Sequence, residues 1–177
     1  MKRQIALSIA ALFVLGSFSE AMALDGWRDR KGMLYGAHVG AGSAQSDQEG
    51  AESRFGFNAG ARVGAGVNTK LTLDASFNYR SDDKDGVETS GLSFMVSGNY
   101  FIVDGLYARL GGGLVTFSAS TAKDTDDETG LGIGLGLGYE VFANSDLAIG
   151  FGVGFDHQRF DDFNMNVFTL NISSTMY

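Results

Sequence analysis

An all-β fold, eight antiparallel strands wound up and down into a closed transmembrane barrel, is what this 177-residue sequence predicts. Three observations predict it. Residues 130–156 alternate glycine with a large apolar residue on either side of a short Asn144-Ser145-Asp146 turn. Period two over such a length means strands, because successive side chains leave opposite faces of the pleat. The second observation is the face opposite the apolar one, made of Gly130, Gly132, Gly134, Gly136, Gly138 and Glu140. A water-facing strand usually carries Thr, Lys, Glu and Arg, whereas small residues suit the cramped inside of a narrow barrel, so the apolar face belongs in hydrocarbon. Third, the chain has 26 glycines, no proline and no cysteine, with 44% hydrophobic residues. After residue 23 no apolar run is long enough to cross as a helix, so membrane crossing must use a closed sheet, stabilised by packing and closure instead of disulfides.

The first 23 residues read as a secretory signal peptide: Lys2 and Arg3 form a basic start, residues 5–16 an apolar stretch, and Ala21-Met22-Ala23 a small-residue cleavage site. A single barrel domain then occupies residues 24–177, with 24–31 a polar lead-in lacking periodicity. The first strand, about 32–43, sets Met33, Tyr35, Ala37, Val39 and Ala41 against Gly36, His38, Gly40 and Gly42. The second, about 53–66, sets Phe55, Phe57, Ala59, Ala61 and Val63 against Arg54, Gly56, Asn58, Gly60 and Arg62. After a turn at 67–69 the third, about 71–79, carries Leu71, Leu73, Ala75, Phe77 and Tyr79 opposite Thr72, Asp74, Ser76 and Asn78.

The fourth strand, about 89–102, places Leu92, Phe94, Val96, Tyr100 and Ile102 on its apolar face, and Val103-Asp104-Gly105 turns into the fifth, about 106–117. There Leu106, Ala108, Leu110 and Leu114 keep phase but Phe117 does not, which predicts a bulge near Gly111-Gly112-Gly113. The glycine-rich hairpin supplies strands six and seven, and Phe168, Leu170 and Ile172 mark the eighth. Residues 44–52, 80–88, 118–129 and 157–166 read as four long loops.

An even strand count pairs the last strand with the first and leaves no open edge. With an exported N-terminus, both termini and the short turns fall on the periplasmic side and the four long loops outside the cell. Phe55, Tyr79, Phe155 and Phe168 then mark an outer aromatic girdle and Tyr35, Tyr100 and Tyr139 an inner one. Four charged residues, Arg62, Asp74, Arg109 and Glu140, project into the lumen and are expected to plug it, Arg62 facing Asp74 across a hairpin and Arg109 lying at the depth of Glu140.

On this pattern of signal peptide, Gly-x-Gly-x-Gly strands and the final aromatic Tyr177, the sequence resembles the small eight-stranded outer-membrane barrels of Gram-negative bacteria, the OmpA, OmpX and opacity-type surface-antigen families. The resemblance covers residues 24–177. It implies an outer-membrane location and a monomer surrounded by lipid and lipopolysaccharide. It also implies assembly by the machinery that reads the last strand and its terminal aromatic. Tyr177 departs from the pattern, standing one residue out of step with Phe168, Leu170, Ile172 and Met176.

Chemistry beyond this is sparse. The loops are acidic, with Asp82, Asp83, Asp85, Asp124, Asp126, Asp127 and Glu128 prominent among them. Solvation and repulsion of neighbours explain such a surface, and weak divalent-cation binding is the sharper alternative. Residues 81–86 depart from a calcium loop at the first ligand position, which is Ser81, and at the twelfth, which is Leu92. The stretch Gly132-Ile133-Gly134-Leu135-Gly136 lacks the turn and helix a dinucleotide site needs, so no cofactor and no nucleic acid are expected. The only histidines are His38 and His157. A lipid A deacylase or acyltransferase on the same barrel would ask His157 to work with Asp161 or Asp162, but the His-x-Ser spacing of the deacylases is missing. The sequence therefore points to a structural, porin-like surface antigen without catalytic or metal residues, whose loops serve surface interaction or adhesion.

Overall fold

The computed structural model describes residues 30–48, 50–84, 87–103, 105–120 and 125–177, with backbone only at 125 and 126. The expected signal peptide, most of the lead-in, Glu49, Asp85 and Asp124 lie outside the described residues, as does the side chain of Asp126. Among the described residues eight strands form one closed barrel in sequence order: β1 (Gly32–Ser46), β2 (Arg54–Asn68), β3 (Leu71–Lys84), β4 (Val87–Val103), β5 (Leu106–Ser120), β6 (Thr125–Phe142), β7 (Leu147–Arg159) and β8 (Asn164–Met176). All neighbours are antiparallel, and β1 closes on β8 from Tyr35↔Met176 to Ser46↔Met165.

The alternation that defines the strands also sorts their faces. Leu131, Ile133, Leu135 and Leu137 of β6 are 64%, 62%, 56% and 54% exposed, while Glu140 on the other face is 4% exposed. Each strand repeats this, from Met33 and Val39 of β1 to Phe168, Leu170 and Ile172 of β8. A continuous apolar belt of this extent on a soluble protein would drive aggregation; around a closed barrel it is the surface that hydrocarbon covers.

The strands run further than the apolar pattern indicates. Residues 80–84, 87–88, 118–120, 125–129, 157–159 and 164–166, expected as loop, are strand. Backbone pairing continues through Asp83↔Glu88 and Lys84↔Val87, and through Ala119↔Asp126 and Ser120↔Thr125. Beyond the hydrocarbon both faces of a hairpin meet water, so the apolar alternation stops while the hydrogen-bond ladder does not. The four long loops are thereby shortened: the strand bounds leave 47–53 and 160–163 as connections, while 85–86 and 121–124, between the other strand pairs, lie outside the described residues. The opposite end carries the turns at 69–70, 104–105 and 143–146 together with both described chain ends.

Two register details differ from expectation. The pairing of β4 with β5 and of β5 with β6 runs unbroken through Gly111–Gly113, and the irregularity lies instead between Phe101 and Val103. Phe117 keeps the lumen-facing phase, and no bulge is needed to place it. Between β2 and β3 the register shifts between Gly66 and Asn68, where the Asn68 side chain accepts the Lys70 amide at 2.8 Å. The hairpin closes through Asn68↔Leu71, with its turn at 69–70 instead of centred on Asn68, and the resulting register sets Arg62 opposite Ser76 and Asp74 opposite Gly64.

Candidate functional site

Three layers of side chains fill the lumen between the turn end and the loop end. At the turn end the Arg30 guanidinium donates from Nε to Glu140 Oε1 at 2.6 Å, with both side chains almost wholly buried. The Tyr177 hydroxyl lies 3.0 and 2.9 Å from the two oxygens of the same carboxylate. Arg30 lies over the Phe101 ring at 3.8 Å, and Phe142 packs against Tyr177 with ring centroids 5.5 Å apart. The chain just before β1, the end of β6 and the last residue are thus tied to one buried carboxylate. A β-carbon at Gly66 would collide with the carbonyl of Arg30, so this glycine is what lets the lead-in pass beneath β2.

In the middle layer Asp74 accepts from Arg109 Nη2 at 3.2 Å and from Asn99 Nδ2 at 2.6 Å. Arg109 also donates to Ser97 and Ser76, at 3.0 and 3.2 Å. Arg62 donates to the Thr175 hydroxyl. Above these groups lies a cavity of about 160 Å³ of mixed lining, with His38, Asn58, Arg62, Arg109, Asp156 and Asn171 among its polar residues and Met95 and Val115 among its apolar ones. All four residues of the expected charge network project inward, but the pairings differ. Arg109 pairs with Asp74 instead of lying by Glu140, and Arg62 faces Ser76 and Thr175 instead of Asp74. The place of the turn, at 69–70 instead of centred on Asn68, is the reason for the second difference, and the lead-in arginine, which takes Glu140, for the first.

The loop-end layer is apolar. Ala44, Val115, Phe160, Met165 and Val167 form a buried cluster with Phe117 and Phe163 against it, and the Phe160 and Phe163 rings stack at 4.6 Å. Beside it Asp82 is held by Arg54 at 2.5 Å and Arg80 at 3.0 Å. Asp82 was expected on an acidic loop; it is a buried lumen residue of β3, because the strand carries its inward phase past Arg80. Asp83 and Asp127 are exposed, and Glu128 is half-buried, all on strand extensions and not in loops.

Outside the hydrocarbon, hydrogen bonds from Asn164 hold the exposed Asp47 carboxyl below its ordinary range, and the Lys84 ammonium does the same for Glu52 by hydrogen bond and charge. Among the described residues no cluster of three acidic or histidine side chains is arranged to hold a metal ion. His157 Nδ1 lies 2.9 Å from Asn166 Oδ1, so its ring contacts a carboxamide and not Asp161 or Asp162.

The expected girdle residues Phe55, Tyr79, Phe168, Tyr35, Tyr100 and Tyr139 all face outward and are exposed. Phe155 is half-buried, its ring 4.8 Å from that of Phe168. Sequence reasoning missed Arg30, Asn99 and the inward role of Tyr177. The out-of-step phase of Tyr177 was the available signal, since a residue one step off the lipid face points into the lumen.

A family model described as outer membrane protein beta-barrel domain matches residues 9–174. Among solved structures the chain is similar to Neisserial surface protein A, with TM-score 0.66 and 17% identity over 82% of this chain and 99% of that one. It is also similar to Ail, the attachment invasion locus protein of Yersinia pestis, with TM-score 0.53 and 14% identity over 81% and 98% of the two chains. The N-terminal beta-barrel domain of Pseudomonas aeruginosa OprF gives TM-score 0.54 and 13% identity over 84% and 100%. No curated protein sequence matches. At these identities the likeness is one of fold.

Proposed function

This chain belongs to the outer membrane protein beta-barrel domain family and lies in the outer membrane, and we propose that it serves there as a non-enzymatic, non-conducting surface barrel whose loop end meets partners outside the cell. The observation that carries this reading is the filled lumen: an ion-paired lock at the turn end, Arg109 on the buried Asp74 in the middle and an apolar cluster at the loop end. Eight strands leave an interior that side chains can fill, and here both charges and rings are spent on filling it. What the filled barrel leaves available is the rim of strand extensions carrying Asp83 and Asp127, with Asp161 and Asp162 exposed on the 160–163 connection. Surface function on loops above an inert scaffold suits this division. Two relatives in fold are named as a surface protein and as an attachment invasion locus protein, which fits the proposal. Lipid and lipopolysaccharide surround the belt in this reading, the assembly machinery inserts the chain, and it works as a monomer.

The experiment exploits the absence of cysteine from the sequence. Asp161→Cys in the 160–163 connection and Ser145→Cys in the 143–146 turn are each labelled on intact cells with a membrane-impermeant maleimide. Labelling of the Asp161 variant on intact cells, with the Ser145 variant labelled only after lysis, is the expected result. The reverse pattern overturns the orientation and with it the surface role.

A further inference from the structure

The central cavity is lined by polar groups of two kinds whose bonds are left unmade. The first kind donates. Arg62 Nη2 is bonded to the Thr175 hydroxyl, and among the described residues no carboxylate lies within ion-pair distance of this guanidinium. Its neighbours in the register are small, Gly36 on one side and Ser76 on the other, and a β-carbon at Gly36 would lie 3.3 Å from Arg62 Nε. Tyr107 and His38 line the same cavity. Arg109 lines it as well, but its Nη2 is taken up by Asp74, Ser76 and Ser97.

The second kind accepts. Further along β1, Gly40 lies between Asn58 of β2 and Asn171 of β8, and a β-carbon there would meet the side-chain oxygens of both. Both oxygens are buried and accept no hydrogen bond among the described residues. Asn171 Nδ2 donates to Thr169 at 3.2 Å, which fixes the end of that carboxamide turned toward Gly40. A strand rises about 3.3 Å per residue, so Gly36 and Gly40 lie about 13 Å apart along the wall, within the span of one small molecule and the side chains that reach it. A charge and carbonyl oxygens held away from bulk water cost free energy until they are paired. The cavity they share, of about 160 Å³, has room for more than single waters, each of which needs roughly 10–15 Å³.

We propose that this cavity binds a small hydroxylated monocarboxylic acid, of the sugar-acid class, with its carboxylate on Arg62 and its hydroxyl groups donating to Asn58 and Asn171. A guanidinium matches a carboxylate in charge and in planar geometry, and neutral carbonyl oxygens accept from hydroxyl groups without calling for a cation. Asp156 lines the same cavity and opposes a second negative charge, which selects a monoacid over a diacid. The site goes beyond the surface role: an occupant completes the filling of the lumen whether or not the loop end meets a partner.

The test uses the barrel folded into micelles with each probe present, so that entry past the apolar cluster of Phe160 and Phe163 is not limiting. The probes are gluconate, sorbitol, which keeps the hydroxyls without the carboxylate, and acetate, which keeps the carboxylate without the hydroxyls. Nuclear magnetic resonance follows the Arg62 Nε–H and the Gly40 amide. Saturable shifts of both signals with gluconate are expected, and affinity lower by about tenfold or more for sorbitol, for acetate, and for gluconate on Arg62→Met or Asn58→Ala. If a variant does not fold, the three probes on the parent barrel decide. Acetate binding as tightly as gluconate would reduce the cavity to an ion site and overturn the proposal. Sorbitol binding as tightly would remove the carboxylate from recognition and overturn it equally. Absence of saturable shifts at Arg62 and Gly40, with or without shifts at exposed lysines, would leave the cavity to water and contradict it.

Discussion

Glu140→Ala is expected to lower the stability of the barrel by about 3 to 5 kcal/mol, because it strands the buried Arg30 guanidinium without its carboxylate. Three segments lose their common anchor at once: the lead-in held through Arg30, the end of β6, and the C-terminal residue held through the Tyr177 hydroxyl. Urea unfolding in detergent reads this as a midpoint lower by roughly 1 to 3 M. Glu140→Gln keeps an acceptor for Tyr177 and should lie between parent and alanine variant. Combining Glu140→Ala with Arg30→Met removes the stranded charge, so the double variant should be more stable than Glu140→Ala alone. Additive losses would show that Arg30 and Glu140 do not act as a pair.

Asp74→Ala is the second large effect, and it changes conduction as well as stability. The carboxylate is fully buried and accepts from both Arg109 and Asn99. Its removal frees the Arg109 guanidinium beside the central cavity, which Arg62 and His38 already line. A loss of about 3 kcal/mol or more is expected in urea unfolding. In planar bilayers the parent should be silent, and the variant should show brief anion-selective openings as the middle layer loosens. An Asp74→Ala barrel that unfolds at the parental urea concentration and stays equally silent would mean that the middle layer is not part of a plug. The Glu140 variant separates the layers, since it opens the turn end while leaving Arg109 on Asp74.

Much of this architecture was legible in the chain because a membrane imposes a simple rule on each strand: Leu131, Ile133, Leu135 and Leu137 face lipid and the intervening glycines face in. Strand number, closure and the inward phase of Arg62, Asp74, Arg109 and Glu140 follow from that period. Which charges meet does not follow from it. The β2–β3 turn lies at 69–70 instead of centring on Asn68, which leaves Arg62 two positions away from Asp74, and no feature of the alternation announces it. Arg30 was hidden for a related reason: it lies in an aperiodic stretch, and only the folded-back lead-in brings it to Glu140. The ends of the strands were set too short because polarity marks where hydrocarbon stops, whereas the ladder from Asp83 to Glu88 stops only at the turn. Phe117 was misread because a lumen-facing aromatic breaks the rule of small inner residues; its place is in the cluster of Phe160 and Phe163.

The central claim is that the apolar face of the barrel lies in lipid and the glycine face lines a filled lumen, and a cysteine scan of β6 tests it most directly. The chain has no cysteine of its own, so single substitutions from Leu131 to Gly138 carry a spin label without background. With the barrel in lipid bilayers, collision with oxygen dissolved in the hydrocarbon is measured at each position. The account predicts high oxygen accessibility at Leu131, Ile133, Leu135 and Leu137 and low accessibility at Gly132, Gly134, Gly136 and Gly138. A flat profile, or one with the glycine positions more accessible than the leucines, would contradict it.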